Sequence, residues 1–201
     1  DVPAGTGACA GSDGTPKAAN YSSWWGYDSL PILNSHNPEV RNLVYANGLA
    51  SVAPFWLQWA DGWRLDVGGD LDPGVTGDPA NTYWEEFRAA VHAVRPDAYI
   101  AGEEWGNASS WLLGNEWDGV MNYQFSTAAL GFWRTTTFTD NDHASGSSAG
   151  LIVALTPSGF DNRIRNLAER YPPEALQAML NLFDSHDTSR VLFMLDENAS
   201  L

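Results

Sequence analysis

Three acidic side chains stand where short apolar runs give way to loops. Asp66 ends the run Gly62-Trp63-Arg64-Leu65, Glu103 follows Tyr99-Ile100-Ala101-Gly102, and Asp187 lies just after Asn181-Leu182-Phe183-Asp184. Carboxyl groups gathered on one rim suit cleavage of a glycosidic bond. One must be charged to attack the anomeric carbon, and another must carry a proton for the leaving oxygen. Arg64 lies two residues before Asp66, on the same face of an alternating strand. Its charge keeps that carboxylate ionised and oriented, which makes Asp66 the better nucleophile. Glu103 sits beside Glu104 and near Trp105, an acidic and partly apolar setting that favours the protonated form, so Glu103 is the better proton donor. Spacing alone equally allows solvated loop acids, and a buried ion pair of Arg64 with Asp66 that only shapes the core is the lesser alternative on that stretch.

The elements that must position these groups alternate in type. Asn37-Pro38-Glu39 is a helix start, with Asn as cap, Pro in the first turn and an acid beside it. Helical spacing continues through Val40, Leu43, Val44, Ala53, Trp56 and Leu57, with a break expected near Gly48. The strand carrying Asp66 follows. Trp84, Phe87, Val91 and Val94 repeat at helical spacing until Arg95-Pro96. The strand before Glu103 comes next, then a third at Gly119-Val120-Met121-Asn122-Tyr123 and a helix over Ser126 to Arg134. Helical patterns at Asn162 to Glu169 and Glu174 to Leu180 precede a fourth strand, Asn181 to Asp184. Strand, loop, helix, strand, repeated, describes a parallel α/β sheet. Strand ends that each carry an acid converge on one mouth in a barrel. An open doubly wound sheet would usually carry a Gly-rich phosphate loop, and the sequence has none. The reading is therefore α/β, with a loop-rich segment over 1–36 and barrel over 37–201.

Composition narrows the partners. The chain has 201 residues, 44% hydrophobic and 17% charged, with a net charge of −15. Its cations are Lys17 and nine Arg. Such acidity argues against nucleic acid or an anionic membrane as partner, since both need basic patches, and fits a neutral substrate worked on by carboxylates. A lone cysteine, Cys9, excludes an internal disulfide. The ten Trp can serve as stacking platforms or as core filling. Asp70, Asp72 and Asp78, or Asp140 and Asp142, could form calcium loops, but they lack the spaced ligands and terminal Glu of an EF-hand. Ser185-His186-Asp187 is no nucleophilic triad, because consecutive residues cannot aim three side chains along one proton path. His36, His92 and His143 are isolated and read as packing or surface residues.

Asp61-Gly62-Trp63-Arg64-Leu65-Asp66-Val67, Gly102-Glu103-Glu104-Trp105 and Phe183-Asp184-Ser185-His186-Asp187-Thr188 resemble the second, third and fourth signature regions of the α-amylase superfamily. Trp117-Asp118-Gly119-Val120-Met121-Asn122-Tyr123 and Ser29-Leu30-Pro31-Ile32-Leu33-Asn34 resemble segments of its neopullulanase, cyclomaltodextrinase and amylopullulanase branch. The matches occur in order and span about Trp24 to Arg190. The resemblance implies a (β/α)8 TIM barrel with Asp66 as the nucleophile that forms a glycosyl-enzyme and Glu103 as general acid/base. Asp187 would be the third carboxylate, holding the distorted sugar. Arg64 would orient Asp66, His186 would bond sugar hydroxyls, and Trp105 would stack on a neighbouring glucose or pack beneath the rim.

There are departures from the family pattern. Its first signature region, a strand ending in Asp-x-x-x-Asn-His, has no match here. An eighth strand and a β-sandwich are expected beyond Leu201. The sequence is thus expected to form about strands 3/4 to 7 of a barrel, unable to close into an active enzyme as it stands, with function assigned to the parent protein. The implied activity is retaining hydrolysis of α-1,4 glucosidic bonds, with α-1,6 as a further candidate linkage, in an α-glucan oligosaccharide or polysaccharide. The alternatives are an α-glucan transglycosylase using the same site and a non-catalytic carbohydrate-binding relative. No cofactor is certain, and calcium is a candidate in the full-length parent. Compartment, secreted or cytoplasmic, and oligomeric state have no signature in the sequence.

Overall fold

The computed structural model describes residues 21–24, 27, 29–72, 74, 81–138 and 152–195. The first twenty residues of the predicted loop segment lie outside these.

The chain enters its helical layer at α1 (Pro38–Arg41), where the Asn37 side chain accepts from the Glu39 backbone N–H at 2.9 Å. The predicted helical stretch does not run straight through. A π turn at Asn42–Ala46 and a 3-10 turn at Gly48–Ala50 precede α2 (Val52–Trp56). Gly48 at φ +52° makes the break, a backbone conformation that a side chain would oppose.

Four short strands form the sheet: β1 (Gly62–Leu65), β2 (Tyr99–Gly102), β3 (Gly119–Asn122) and β4 (Leu180–Asn181). They pair in the order 1-2-3-4, and every pairing is parallel. Between β1 and β2 runs α3 (Tyr83–Val94), which buries Trp84, Phe87 and Val91 on the face that the spacing predicts. His92 closes the turn that follows, its Nε2 lying 3.1 Å from the Ala98 carbonyl oxygen. After β3 come α4 (Tyr123–Trp133), α5 (Pro157–Arg170) and α6 (Pro173–Gln177), and α7 (Val191–Leu195) follows β4. Sequential parallel strands joined through helices form part of a (β/α)8 barrel.

The core lies between sheet and helices. Trp117 and Trp111 stack with ring centroids 5.0 Å apart and planes 5° apart, and Trp84 meets Trp117 edge-on. Their polar edges are partly provided for. Trp84 Nε1 donates to the Gly68 carbonyl at 2.9 Å, and Trp111 Nε1 donates to the Asp72 carbonyl at 2.7 Å.

Two expectations change. The fourth strand ends at Asn181 rather than Asp184. The Phe183 carbonyl is taken by Ser126 Oγ at 2.9 Å, and Asp184 Oδ2 accepts the Val191 N–H at 2.7 Å, so those residues serve the helices instead of the ladder. Asp72 faces the protein. Only 1% exposed, it accepts the backbone N–H groups of Gly74, Tyr83 and Trp84 at 3.1, 3.1 and 3.4 Å, anchoring the positive N-terminal end of α3. Asp70 Oδ2 accepts Trp24 Nε1 at 2.8 Å. Among the described residues no three His, Cys, Asp or Glu side chains converge to hold a metal ion. Asp78, Asp140, Asp142 and His143 lie outside the described residues.

Candidate active site

Parallel register sets the site. Leu65 pairs with Gly102, so the next residues on the two strands, Asp66 and Glu103, leave the sheet side by side. Arg64 joins them. One guanidinium nitrogen, Nη1, contacts Asp66 Oδ1, and Nη2 forms an ion pair with Glu103 Oε2 at 3.1 Å. Arg64 Nε also lies 3.3 Å from Met121 Sδ on β3. A single guanidinium thus spans three adjacent strands and ties two carboxylates. The two differ sharply in setting: the Asp66 side chain is 75% exposed, whereas Glu103 is 8% exposed.

The turn after Asp66 is strained. Val67 adopts φ +40°, a left-handed conformation that costs a β-branched residue about 1–3 kcal/mol. Its N–H donates to Glu103 Oε2 at 2.9 Å. Glu103 Oε1 accepts from Trp105 Nε1 at 3.1 Å.

The expected crowding of Glu103 by Glu104 does not occur. Adjacent residues leave a strand end on opposite sides, and Glu104 Oε1 instead accepts the Gly106 N–H at 2.7 Å. Around Glu103 stand a cation and two N–H donors.

Trp105 continues the line. Its indole stacks on Tyr123 with centroids 3.7 Å apart and planes 5° apart, so one indole face is already occupied. The Tyr123 hydroxyl donates to Ser185 Oγ at 3.0 Å, and Ser185 Oγ accepts the Asp187 backbone N–H at 3.1 Å. His186 Nε2 lies 3.2 Å from Asp187 Oδ2, both side chains well exposed. The phenol of Tyr123 is pushed above its ordinary range, first by burial. Ser185 opposes that shift through its hydrogen bond, the charges of Glu103 and Asp187 add to it, and Arg64 offsets part of it. Fields from both carboxylates therefore meet at one ring. A chain of contacts through Arg64, Glu103, Trp105, Tyr123 and Ser185 thus links the loops after β1, β2 and β4.

The family described as alpha amylase, catalytic domain, matches residues 15–201. The chain belongs to the α-amylase family. Among the relatives of this α-amylase family chain is the amylopullulanase of Thermoanaerobacterium saccharolyticum, 34% identical over 94% of this chain and 14% of that protein. Neopullulanase 2 of Thermoactinomyces vulgaris is 38% identical over 82% of this chain and 23% of its own length. The crystal structure of a debranching enzyme from Nostoc punctiforme superposes with a TM-score of 0.73 at 33% identity, covering 88% of this chain and 34% of that one. The chain thus spans well under a third of the curated relatives named here.

Three contributors escaped sequence reasoning. Met121, Tyr123 and Ser185 touch Arg64, Trp105 and the Asp187 loop, respectively. Each lies within a segment already singled out by its resemblance, but nothing local in those segments says which side chain meets which.

Proposed function

We propose that the full-length protein is a retaining α-glucan hydrolase. In the first step an Asp66 carboxylate oxygen bonds to the anomeric carbon as the glycosidic C–O bond breaks, and a proton held on Glu103 Oε1 passes to the leaving oxygen. In the second step Glu103 takes a proton from water, whose oxygen bonds to the anomeric carbon and releases Asp66. Asp187 holds the distorted ring and favours its positive charge, and His186 bonds hydroxyls beside it. Trp105, hydrogen-bonded to Glu103, meets the next glucose.

The observation that carries this reading is the Arg64 bridge. Two carboxylates on the two Nη nitrogens of one guanidinium are held close together. Retaining pairs stand about 5–5.5 Å apart, whereas inverting pairs need about 6.5–9.5 Å to admit a water. The family membership and the names amylopullulanase and neopullulanase support an α-glucan as substrate, with α-1,4 and α-1,6 links the bonds to test.

The test is Asp66→Asn in the full-length protein. Turnover of maltodextrin should fall by at least about 10⁴-fold, while binding of the sugar remains measurable. A variant that retains full activity overturns the mechanism. Wild-type protein that binds α-glucans and cleaves none of them overturns the hydrolase reading.

A further inference from the structure

An open groove of about 360 Å³ lies between the loop after β2 and the facing sides of α4 and α5, within the usual size of small-molecule sites, about 300–1,000 Å³. The α5 wall is Arg163, Asn166, Leu167 and Arg170. These positions fall at i, i+3, i+4 and i+7, the stripe that a helix ordinarily makes apolar where it faces a neighbour. Here only Leu167 is apolar, and it is buried.

The charge pattern is as unusual as the stripe. Arg41, Arg64, Arg88, Arg95, Arg165 and Arg190 each pair with a carboxylate. Arg163 and Arg170 pair with none among the described residues, and both line this one groove. Gln124 accepts from Arg170 Nη1 at 2.6 Å, and Asn107 supplies another carboxamide from the opposite wall. Among the described residues no acid lines the groove. Guanidinium groups only donate hydrogen bonds whereas carboxamides donate and accept, a set that the hydroxyls of a sugar can meet from both sides.

The position says which molecule brings the hydroxyls. Contacts run in order from Asp66 through Arg64, Glu103 and Trp105 to Tyr123. The groove begins with the very next residues, Gly106 and Gln124. It therefore adjoins the Glu103 end of that line of contacts rather than the Asp66 end, and in the hydrolase reading the Glu103 end is where a leaving group departs. A net charge of −15 repels free anions at long range but not a neutral sugar.

Resting on the hydrolase reading, we infer that this groove receives distal glucosyl units on the leaving-group side of an extended α-glucan and so selects for chain length. The test uses full-length protein carrying Asp66→Asn, so that sugar is bound and not consumed. Titration calorimetry compares it with the same protein also carrying Arg163→Ala and Asn166→Ala. Alanine is the best helix former, so α5 is kept. The ratio of maltoheptaose to maltotriose affinity should fall about tenfold. An unchanged ratio overturns the inference, as does failure to bind either sugar. Binding of inorganic phosphate that disappears in the Arg163→Ala, Asn166→Ala protein overturns it in favour of an anion site. The two readings fail separately: a tenfold loss with no turnover by the wild type sinks the hydrolase alone, and wild-type hydrolysis with an unchanged ratio sinks the groove alone.

Discussion

Gly102→Ala is the most demanding perturbation of this site, because it alters no functional group and touches no sugar. A methyl carbon added at Gly102 would stand 2.2 Å from Cε3 and Cζ3 of Trp117. Ordinary contact begins near 3.4 Å, so ring or strand must yield by more than an ångström. The ring cannot. Trp117 is 1% exposed, with one face stacked on Trp111 and its edge set by Trp84. The strand end must move instead, and Glu103 is its next residue. Overpacking of this kind costs about 1–3 kcal/mol, and so tight an overlap belongs at the upper end. Displacement of the acid by about 1 Å should lower kcat/KM about 100-fold. Urea unfolding and maltodextrin turnover of the full-length protein measure both quantities. Trimming the ring, as Gly102→Ala with Trp117→Leu, should recover part of the turnover lost by Gly102→Ala alone. Wild-type unfolding midpoint and turnover in the single variant would refute the packing argument.

Three further outcomes are expected. Arg64→Met strands the nearly buried Glu103 without its cation. Breaking a fully buried pair costs about 3–5 kcal/mol; with the Arg64 side chain 31% exposed and two N–H donors remaining on Glu103, about 1–3 kcal/mol is expected in urea unfolding. Tyr99, whose hydroxyl donates to the Ala178 carbonyl at 2.6 Å, has its phenol pushed up to about 12 by burial and then by the charge of Asp118. A raised folded-state value means that the phenol's contribution is complete below about pH 10 and is lost as pH climbs through 12. Between pH 8 and 11.5 the wild type should therefore lose up to about 2 kcal/mol more than Tyr99→Phe, and equal losses would contradict the assignment. Gly48→Ala meets no neighbouring atom but must hold φ +52°, so it should lower stability by about 1 kcal/mol and leave turnover at the wild-type level.

Much of the fold is legible because its signals are local. Asn37 caps the helix that Pro38 begins, the apolar face of α3 follows its spacing, and the first three strands precede loops where Gly and acids gather. Asp66 and Glu103 could be placed at strand ends for the same reason, and parallel register then puts them together. What escaped depends on distant partners. The length of β4 is decided by Ser126, far back in the chain, which claims the carbonyl of Phe183. The stacking of Trp105 on Tyr123 joins the loop after β2 to the start of α4, and neither sequence gives a hint of the other. Glu104 misled for a simpler reason: neighbours in sequence are not neighbours in space when a strand sends them to opposite sides. Asp72 reads in sequence as one acid of a solvated loop, yet its oxygens are committed to the start of α3.

The left-handed turn at Val67 has a consequence for how variants of this site are interpreted. Its N–H is anchored on the same Glu103 oxygen that Arg64 holds, so the loop bearing one acid is fastened to the side chain of the other. Replacing Glu103 with glutamine weakens that fastening and lets the backbone beside Asp66 relax. Loss of activity in such a protein mixes a missing proton donor with a misplaced nucleophile, and the effects of changing both acids will not sum. The two residues form one mechanical part with two chemical ends.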